Sequence, residues 1–283
     1  MAIKTFSMTP DAGERQENSF CVVCGSTDSY HYWDCDGFGF HRCRHCGHLF
    51  QNPRPVFDDL KDRYQDEYFE YELENDVQFF DLMKRGLDDI EFDAIEASMP
   101  PSPRALDIGC ATGMLVEHLV SRGWKAEGVE ICVPAARYGQ EHRHIPIHIG
   151  TLEKQRFEDG AFDFVHFSHV IEHVPDPRGF LEEVARITRP AGYVVIVTPN
   201  TRSLQALLFG SRWRSAIADH LNLFSGASLE RLMGETGFIT LRTKTWGGIA
   251  EGLAPRWIKR PVDRFAKPLG YGDVVLKLGR RSS

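Results

Sequence analysis

The sequence contains no apolar run approaching the roughly 18 residues needed to span a bilayer. Nor does Met1 to Glu14 hold the apolar stretch of a secretion signal. Both absences predict a cytoplasmic protein without membrane contact. A basic excess is missing too: 33 Lys and Arg stand against 40 Asp and Glu, for a net charge of −7. That balance weighs against a broad nucleic-acid footprint. The one local basic run, Arg256, Lys259, Arg260, Arg264 and Lys267, reads as a solvated face. There is no internal repeat and no low-complexity tract. Seven cysteines cannot all pair within the chain, and four of them fall into two tight pairs, the pattern of metal binding in a reducing compartment.

What is present divides the chain into four parts. Residues 1–16 are polar and patternless, as in a mobile tail. Residues 17–52 hold the paired cysteines among aromatic residues. Residues 53–103 form a helical lid and linker: they open on Asn52-Pro53-Arg54-Pro55, which forces extended or turn backbone. Phe79, Phe80, Met83, Leu87, Ile90 and Ile95 then recur at spacings near three and four. Met99-Pro100-Pro101-Ser102-Pro103 closes the stretch. Residues 104–283 form the main domain. Short apolar runs at 104–109, 125–130, 146–149, 162–168 and 192–198 alternate there with helical patterns near 113–122, 133–142 and 177–188. A helix near 228–236 and strands at 238–245 and 273–278 follow. Such alternation predicts a doubly wound, mostly parallel sheet covered by helices on both faces.

Cys21-Val-Val-Cys24 and Cys43-Arg-His-Cys46 can each present two thiolates from one tight turn, and together supply the four soft ligands of a tetrahedral zinc site. Gly25 and Gly47 follow the second cysteine of each pair, where the turn calls for positive φ. Redox-active pairs are the alternative, and His41, His45 or His48 could stand in for one cysteine. Cys35 reads as a loop or core thiol. Four thiolates leave no open coordination position, so such zinc is structural and folds a segment too small to hold itself together.

Leu106-Asp107-Ile108-Gly109-Cys110-Ala111-Thr112-Gly113 ends an apolar strand, turns on glycines and opens a helical pattern. Glycines there let backbone approach a ligand at the carboxyl end of the strand. Glu130, at the end of the second predicted strand, can accept hydrogen bonds from two ribose hydroxyls. The spacing is not G-x-G-x-x-G, so nothing here calls for a cradled pyrophosphate.

On these residues, 104–245 resembles the class I S-adenosylmethionine-dependent methyltransferases. Leu106–Gly113 matches the family's first motif and Glu130 its ribose-binding acid. Phe162-Asp163-Phe164-Val165 running into Ser168-His169-Val170-Ile171-Glu172-His173 matches the fourth-strand motif. Arg189-Pro190-Ala191-Gly192 resembles the fifth-strand turn, with Ala191 where the family has glycine. The resemblance implies a Rossmann-like seven-stranded fold carrying an N-terminal zinc ribbon and helical lid. It also implies a cofactor site of Asp107, Gly109, Cys110, Gly113, Glu130, Ile131, Thr151, Leu152 and Ser168. Within it, Gly109 and Cys110 take the methionine part, Ile131 packs on adenine, and Thr151-Leu152 lines the other side. Plain core packing is the alternative for Ile131 and Leu152.

His169, Glu172, His173 and the later His220 form the candidate catalytic group. One reading makes His169 or His220 the general base for an oxygen acceptor. A second, implied by resemblance to ubiquinone-pathway O-methyltransferases and small-RNA 2′-O-methyltransferases, has Glu172, His173 and His220 bind a divalent metal. Those enzymes carry E-x-x-E-H, and histidine stands here in place of their first glutamate. A third makes Glu172 and His173 structural caps. Tyr64, Tyr68 and Phe69 resemble lid aromatics that close over such a site, or pack the lid onto the core. The favoured function is methyl transfer from S-adenosylmethionine to a small-molecule acceptor, a sugar or secondary metabolite, with O-methylation ahead. An RNA methyltransferase whose zinc module grips nucleic acid, and a non-catalytic cofactor-binding scaffold, are the rivals. Segments 201–219 and 246–271 are expected to shape the acceptor pocket, with Arg212, Trp213, Arg214 and Trp246 available to an acidic or aromatic acceptor.

Overall fold

A computed structural model describes residues 13–64, 66–248 and 269–282. The basic run and most of the 246–271 segment lie outside the described residues. From Gly13 the chain is tied down rather than free: strand β1 (Gln16–Glu17) pairs with β5 (Arg54–Pro55). Arg15 also meets Asp59, and Glu14 meets Arg63. The cysteine segment forms β2 (Ser29–Cys35), β3 (Phe38–Cys43) and β4 (Leu49–Gln51) in an antiparallel meander. The expected lid is helical, as α1 (Phe57–Lys61), α2 (Asp66–Asp89) and α3 (Phe92–Ala97).

The main domain then runs β6 (Arg104–Ile108), α4 (Met114–Ser121), β7 (Lys125–Glu130), α5 (Val133–His142), β8 (Ile147–Ile149), α6 (Leu152–Gln155), β9 (Phe162–Ser168), α7 (Pro177–Ile187), β10 (Thr188–Pro199) and α8 (Leu204–Phe209). A short β11 (Asn222–Leu223), α9 (Gly226–Glu235), β12 (Phe238–Trp246) and β13 (Val274–Arg281) complete it. The sheet order is β12-β13-β10-β9-β6-β7-β8, with β13 antiparallel to both neighbours. The chain winds from β6 outward through β7 and β8, then returns to β9 and β10 on the other side. This reversal opens a crevice at the carboxyl ends of β6 and β9.

Period-2 alternation along β10 assigns its residues to two cores. Val194 and Ile196 join Phe180, Leu181 and Val184 of α7 and Leu229 and Leu232 of α9. Val195 and Val197 face the opposite way, with Leu87 of α2, Phe92 of α3 and Leu115 of α4. Local chemistry starts the helices on the first face. The Asp176 side chain accepts from Gly179 N–H at 3.1 Å with Pro177 in the first turn, and Ser225 and Ser228 form a capping box on α9.

The cysteine module is not a separate globule. Cys21, Val23, Cys43 and Phe50 share the core of α7 and α9, and β11 adds to β4, giving a four-stranded sheet ordered β11-β4-β3-β2. No helix among the described residues is long and apolar enough to cross a membrane.

Candidate active site

The crevice is a cavity of about 1300 Å³. That is larger than the roughly 300–1,000 Å³ of an ordinary ligand pocket, so it has room for two molecules side by side. One half lies over β6 and β7. Gly109 holds φ +69, and a Cβ there would overlap Val170, so the loop after β6 must stay bare. Glu130 is buried at the tip of β7. Its two oxygens accept the N–H groups of Ala111 and Cys132, each at 2.8 Å. A carboxylate has about four lone-pair sites, so two remain for ribose hydroxyls. Burial pushes the Glu130 carboxyl up, and the N–H groups of Cys132, Ala111 and Ile131 only partly offset it.

Most expected cofactor residues gather here. Asp107, Gly109, Cys110, Glu130, Ile131, Thr151, Leu152 and Ser168 all line the cavity, whereas Gly113 stands outside its lining. Gly113 instead starts α4 at φ +83, packed on Ile145. The Cys110 thiol turns into the core against Gly128, leaving its backbone to face the cavity. Asp107 is engaged by His166 Nδ1 at 2.7 Å, directly across the β6–β9 register.

The other half holds the histidines. His169 follows β9 in a left-handed conformation, φ +57, with its N–H bonded to Val197 O at 2.8 Å. Its Nδ1 donates to Glu172 Oε1 at 3.0 Å, and its side chain is 49% exposed. Glu172 is fully buried and also accepts from Thr198 Oγ1 at 2.9 Å. Burial opposes ionisation of Glu172, but the His169 hydrogen bond and the charges of His169, His173 and His220 outweigh it, bringing its pKa to about 2. His220 is buried, with Nδ1 2.7 Å from Ser215 O, and His173 Nδ1 lies 2.9 Å from both Asp219 O and Tyr64 Oη. Backbone carbonyls only accept, so Nδ1 carries a proton in both His173 and His220. Burial, and then the charge of His173, push His220 down to about 3. The Glu172, His173 and His220 ligand atoms lie within 4.8 Å of one another.

Helix α2 covers both halves, bringing Tyr68, Tyr71, Glu72, Phe79, Leu82 and Met83 to the cavity. Glu72 is pushed up to about 8, first by burial and then by the charge of Glu130, against a hydrogen bond from Tyr68. Arg214 lines the cavity paired with Asp273, which also takes Trp213 Nε1 at 2.7 Å. Arg63 is held between Glu14 and Asp219. Glu72, His166 and Asp219 escaped the sequence reading. His166 left a trace, a polar residue between Val165 and Phe167 in the middle of a buried strand, which has to find a partner.

In the cysteine module, Cys21 and Cys46 Sγ lie 3.3 Å apart and Cys24 and Cys43 Sγ 3.5 Å apart, with all four inside 4.8 Å. A tetrahedron of sulfurs 2.3 Å from zinc has edges of about 3.8 Å, so the set fits that ion. Gly25 and Gly47 take φ +73 and +74 and close each turn on the carbonyls of Cys21 and Cys43. Burial pushes the Cys43 thiol up, yet the N–H groups of Cys46 and His45 and the neighbouring sulfurs outweigh it, to about 7. Cys35 sits apart, at the end of β2, 3.7 Å from Ser211 O.

Comparison with known proteins agrees with this geometry. The family model of a methyltransferase domain matches residues 78–242, more than half of the chain. A ubiquinone biosynthesis O-methyltransferase from Burkholderia vietnamiensis is 31% identical over 112 residues, covering 38% of this chain and 48% of the relative. One from Aromatoleum aromaticum is 32% identical over 112 residues, 38% of this chain and 47% of the relative. The chain thus spans about half the length of the curated relatives it matches. An S-adenosylmethionine-dependent methyltransferase structure from Thermotoga maritima superposes with TM-score 0.50 at 25% identity, over 72% of this chain and 97% of that one. Another, from Archaeoglobus fulgidus, gives TM-score 0.51 at 18% identity, over 70% and 94%, which speaks to the fold alone. The chain belongs to the methyltransferase-domain family, in its S-adenosylmethionine-dependent branch.

Proposed function

We propose that the chain transfers the methyl group of S-adenosylmethionine to an oxygen of a small-molecule acceptor, with His169 as general base. The observation that carries this is the His169–Glu172 pair at the mouth of the acceptor half. The buried carboxylate takes Nδ1–H and holds a half-exposed ring that lines the cavity. His220, driven to about 3, is too weak a base at neutral pH and acts as a fixed neutral acceptor.

S-adenosylmethionine, when bound, supplies an electrophilic methyl on a sulfonium. The chain's own residues do the rest. Glu130 takes the ribose hydroxyls, the bare Gly109 backbone admits the methionine part, and Ile131 and Leu152 flank the adenine. Asp107, Thr151 and Ser168 complete the wall, and Gly113 keeps the loop's shape from outside it. His169 removes the acceptor proton, Glu172 orients and balances the ring, and in-line placement supplies much of the rate.

The acceptor half favours an apolar body. Phe79, Leu82 and Met83 of α2 line the cavity together with Val197, Leu276 and Trp246, and Arg214 in that lining is already matched by a carboxylate. Cys21, Cys24, Cys43 and Cys46 hold a structural zinc ion, and the free thiols suit a reducing cytoplasm. A second reading rests on the mutual reach of Glu172, His173 and His220, a two-histidine, one-carboxylate set for a divalent cation that would orient the acceptor oxygen.

The test is calorimetric titration of S-adenosylmethionine into zinc-replete protein, followed by labelled-methyl transfer to hydroxylated apolar acceptors. His169→Ala should keep cofactor affinity and lose roughly 10²–10⁴-fold in kcat. Absence of cofactor binding would sink the proposal. A requirement for added Mg2+ or Mn2+, with His169→Ala near wild type, would move the chemistry to the cation reading.

A further inference from the structure

The segment bearing Asp219 and His220 is anchored to the cysteine module more than to the strands it serves. β11 pairs with β4, Asn222 opposite Phe50 and Leu223 opposite Leu49. Gln51, the last residue of β4, donates its backbone N–H to Leu221 O at 2.9 Å. Its buried side-chain Nε2 reaches Ala218 O and His220 O, each at 2.9 Å, and Ile217 O at 3.3 Å. An amide nitrogen has two protons, one each for the Ala218 and His220 carbonyls, while Ile217 O also accepts the His220 N–H at 3.2 Å. Asn222 completes the clamp. Its N–H donates to Glu172 O at 3.0 Å, its Nδ2 to Val174 O at 2.9 Å, and its Oδ1 lies 3.4 Å from His48 Nε2.

We propose that Gln51 is a positioning residue for the acceptor half, acting through the 217–221 carbonyls to hold Asp219 and His220 against His173. The role extends the reading of these histidines as part of the acceptor site, and it makes the cysteine module a wall of that site. Asp219 O fixes the His173 tautomer, and the His173 and His220 rings stand 4.7 Å apart. Both relations depend on where residues 217–220 lie. An apolar side chain at position 51 would leave the Ala218 and His220 carbonyls without that amide donor, whereas Ile217 O would keep the His220 N–H. The turn relieves that cost by moving toward water. A side chain that only filled space would instead lower stability everywhere and leave the native turn unchanged.

The experiment uses the full chain, zinc-replete, as wild type, Gln51→Met and Gln51→Asn. Methionine keeps the length without donors, and asparagine keeps the donors one methylene short. Amide hydrogen exchange across 217–223 should rise roughly 10- to 100-fold in both variants, while the β6 and β7 amides stay within about twofold. The protected Nδ1–H resonance of His220 should disappear. In wild type the Gln51 side-chain amide protons should exchange as slowly as the turn itself, a reading that needs no variant to fold. Unchanged exchange at 217–223 in a folded variant would overturn the proposal, as would a uniform rise over the chain or a freely exchanging Gln51 amide. Titrating S-adenosylmethionine into the same samples separates the two claims. Wild type and variants should bind alike, and failure of all to bind would remove the methyltransferase reading while the exchange result stands.

Discussion

Replacing Glu130 with Gln tests the cofactor half most directly. The carboxylate receives two backbone N–H groups at 2.8 Å and has two lone pairs left. A hydrogen bond to a charged group contributes about 1.5–3 kcal/mol. Losing two ribose bonds of this kind costs about 3–6 kcal/mol, or roughly 10²–10⁴ in affinity at about 1.4 kcal/mol per tenfold. Glutamine also turns an NH2 toward either Ala111 or Cys132 N–H, setting donor against donor in the loop after β6 or the start of α5. Calorimetry with S-adenosylhomocysteine, which cannot react, reads the loss without turnover. The same carboxyl carries a pH signature. Burial raises it above the ordinary carboxylate range, so wild-type affinity should decline on mild acidification, sooner than for an exposed glutamate. The amide variant should show no such decline. Binding of Glu130→Gln within threefold of wild type, by folded protein, would refute both the ribose assignment and the arithmetic behind it.

Two further outcomes follow from groups outside that loop. Cys43→Ser should lower zinc content from one per chain toward zero, measured by elemental analysis. It should also collapse the module's contribution to thermal stability, because a closed thiolate site couples metal binding to folding. Glu72→Gln should flatten the pH dependence of the melting temperature. With a folded value near 8, the native state keeps a proton the unfolded chain has released above its ordinary 4.5. Wild type therefore loses stability as pH rises between these values, and the neutral amide does not. Parallel melting curves for the two proteins from pH 5 to 8 would refute this assignment.

Much of the fold was legible because periodicity encodes burial. The strands expected at 104–109, 125–130 and 162–168 are β6, β7 and β9 to within a residue, since each carries a short apolar run buried between the two helical layers. The fifth-strand expectation, 192–198, was shorter than β10, which begins at Thr188 and bulges through the Pro190-Ala191-Gly192 turn that looked like its start. The paired cysteines and Glu130 declared themselves through spacing and position. Gln51 could not, because a single glutamine has no pattern, and its side-chain partners lie 166 to 169 residues away. Glu72 was equally silent: on an amphipathic helix an acid reads as solvent-facing until the helix is placed over another acid. The tail reading reached too far, for Glu14 and Arg15 find their opposite charges only once α1 is folded.

The sheet that takes β11 as its fourth strand sets an order of events during synthesis. β4 leaves the ribosome early, yet Asn222, which pairs with Phe50 at its free edge, is made 222 − 50 = 172 positions later. At 5–20 residues per second that interval is about 9–34 s. Throughout it Leu49 and Phe50 stand at an unpaired edge, open to another nascent chain. The four-cysteine cluster closes within residues 21–46, before this wait begins, so metal capture would hold the edge short and in register until its own strand arrives.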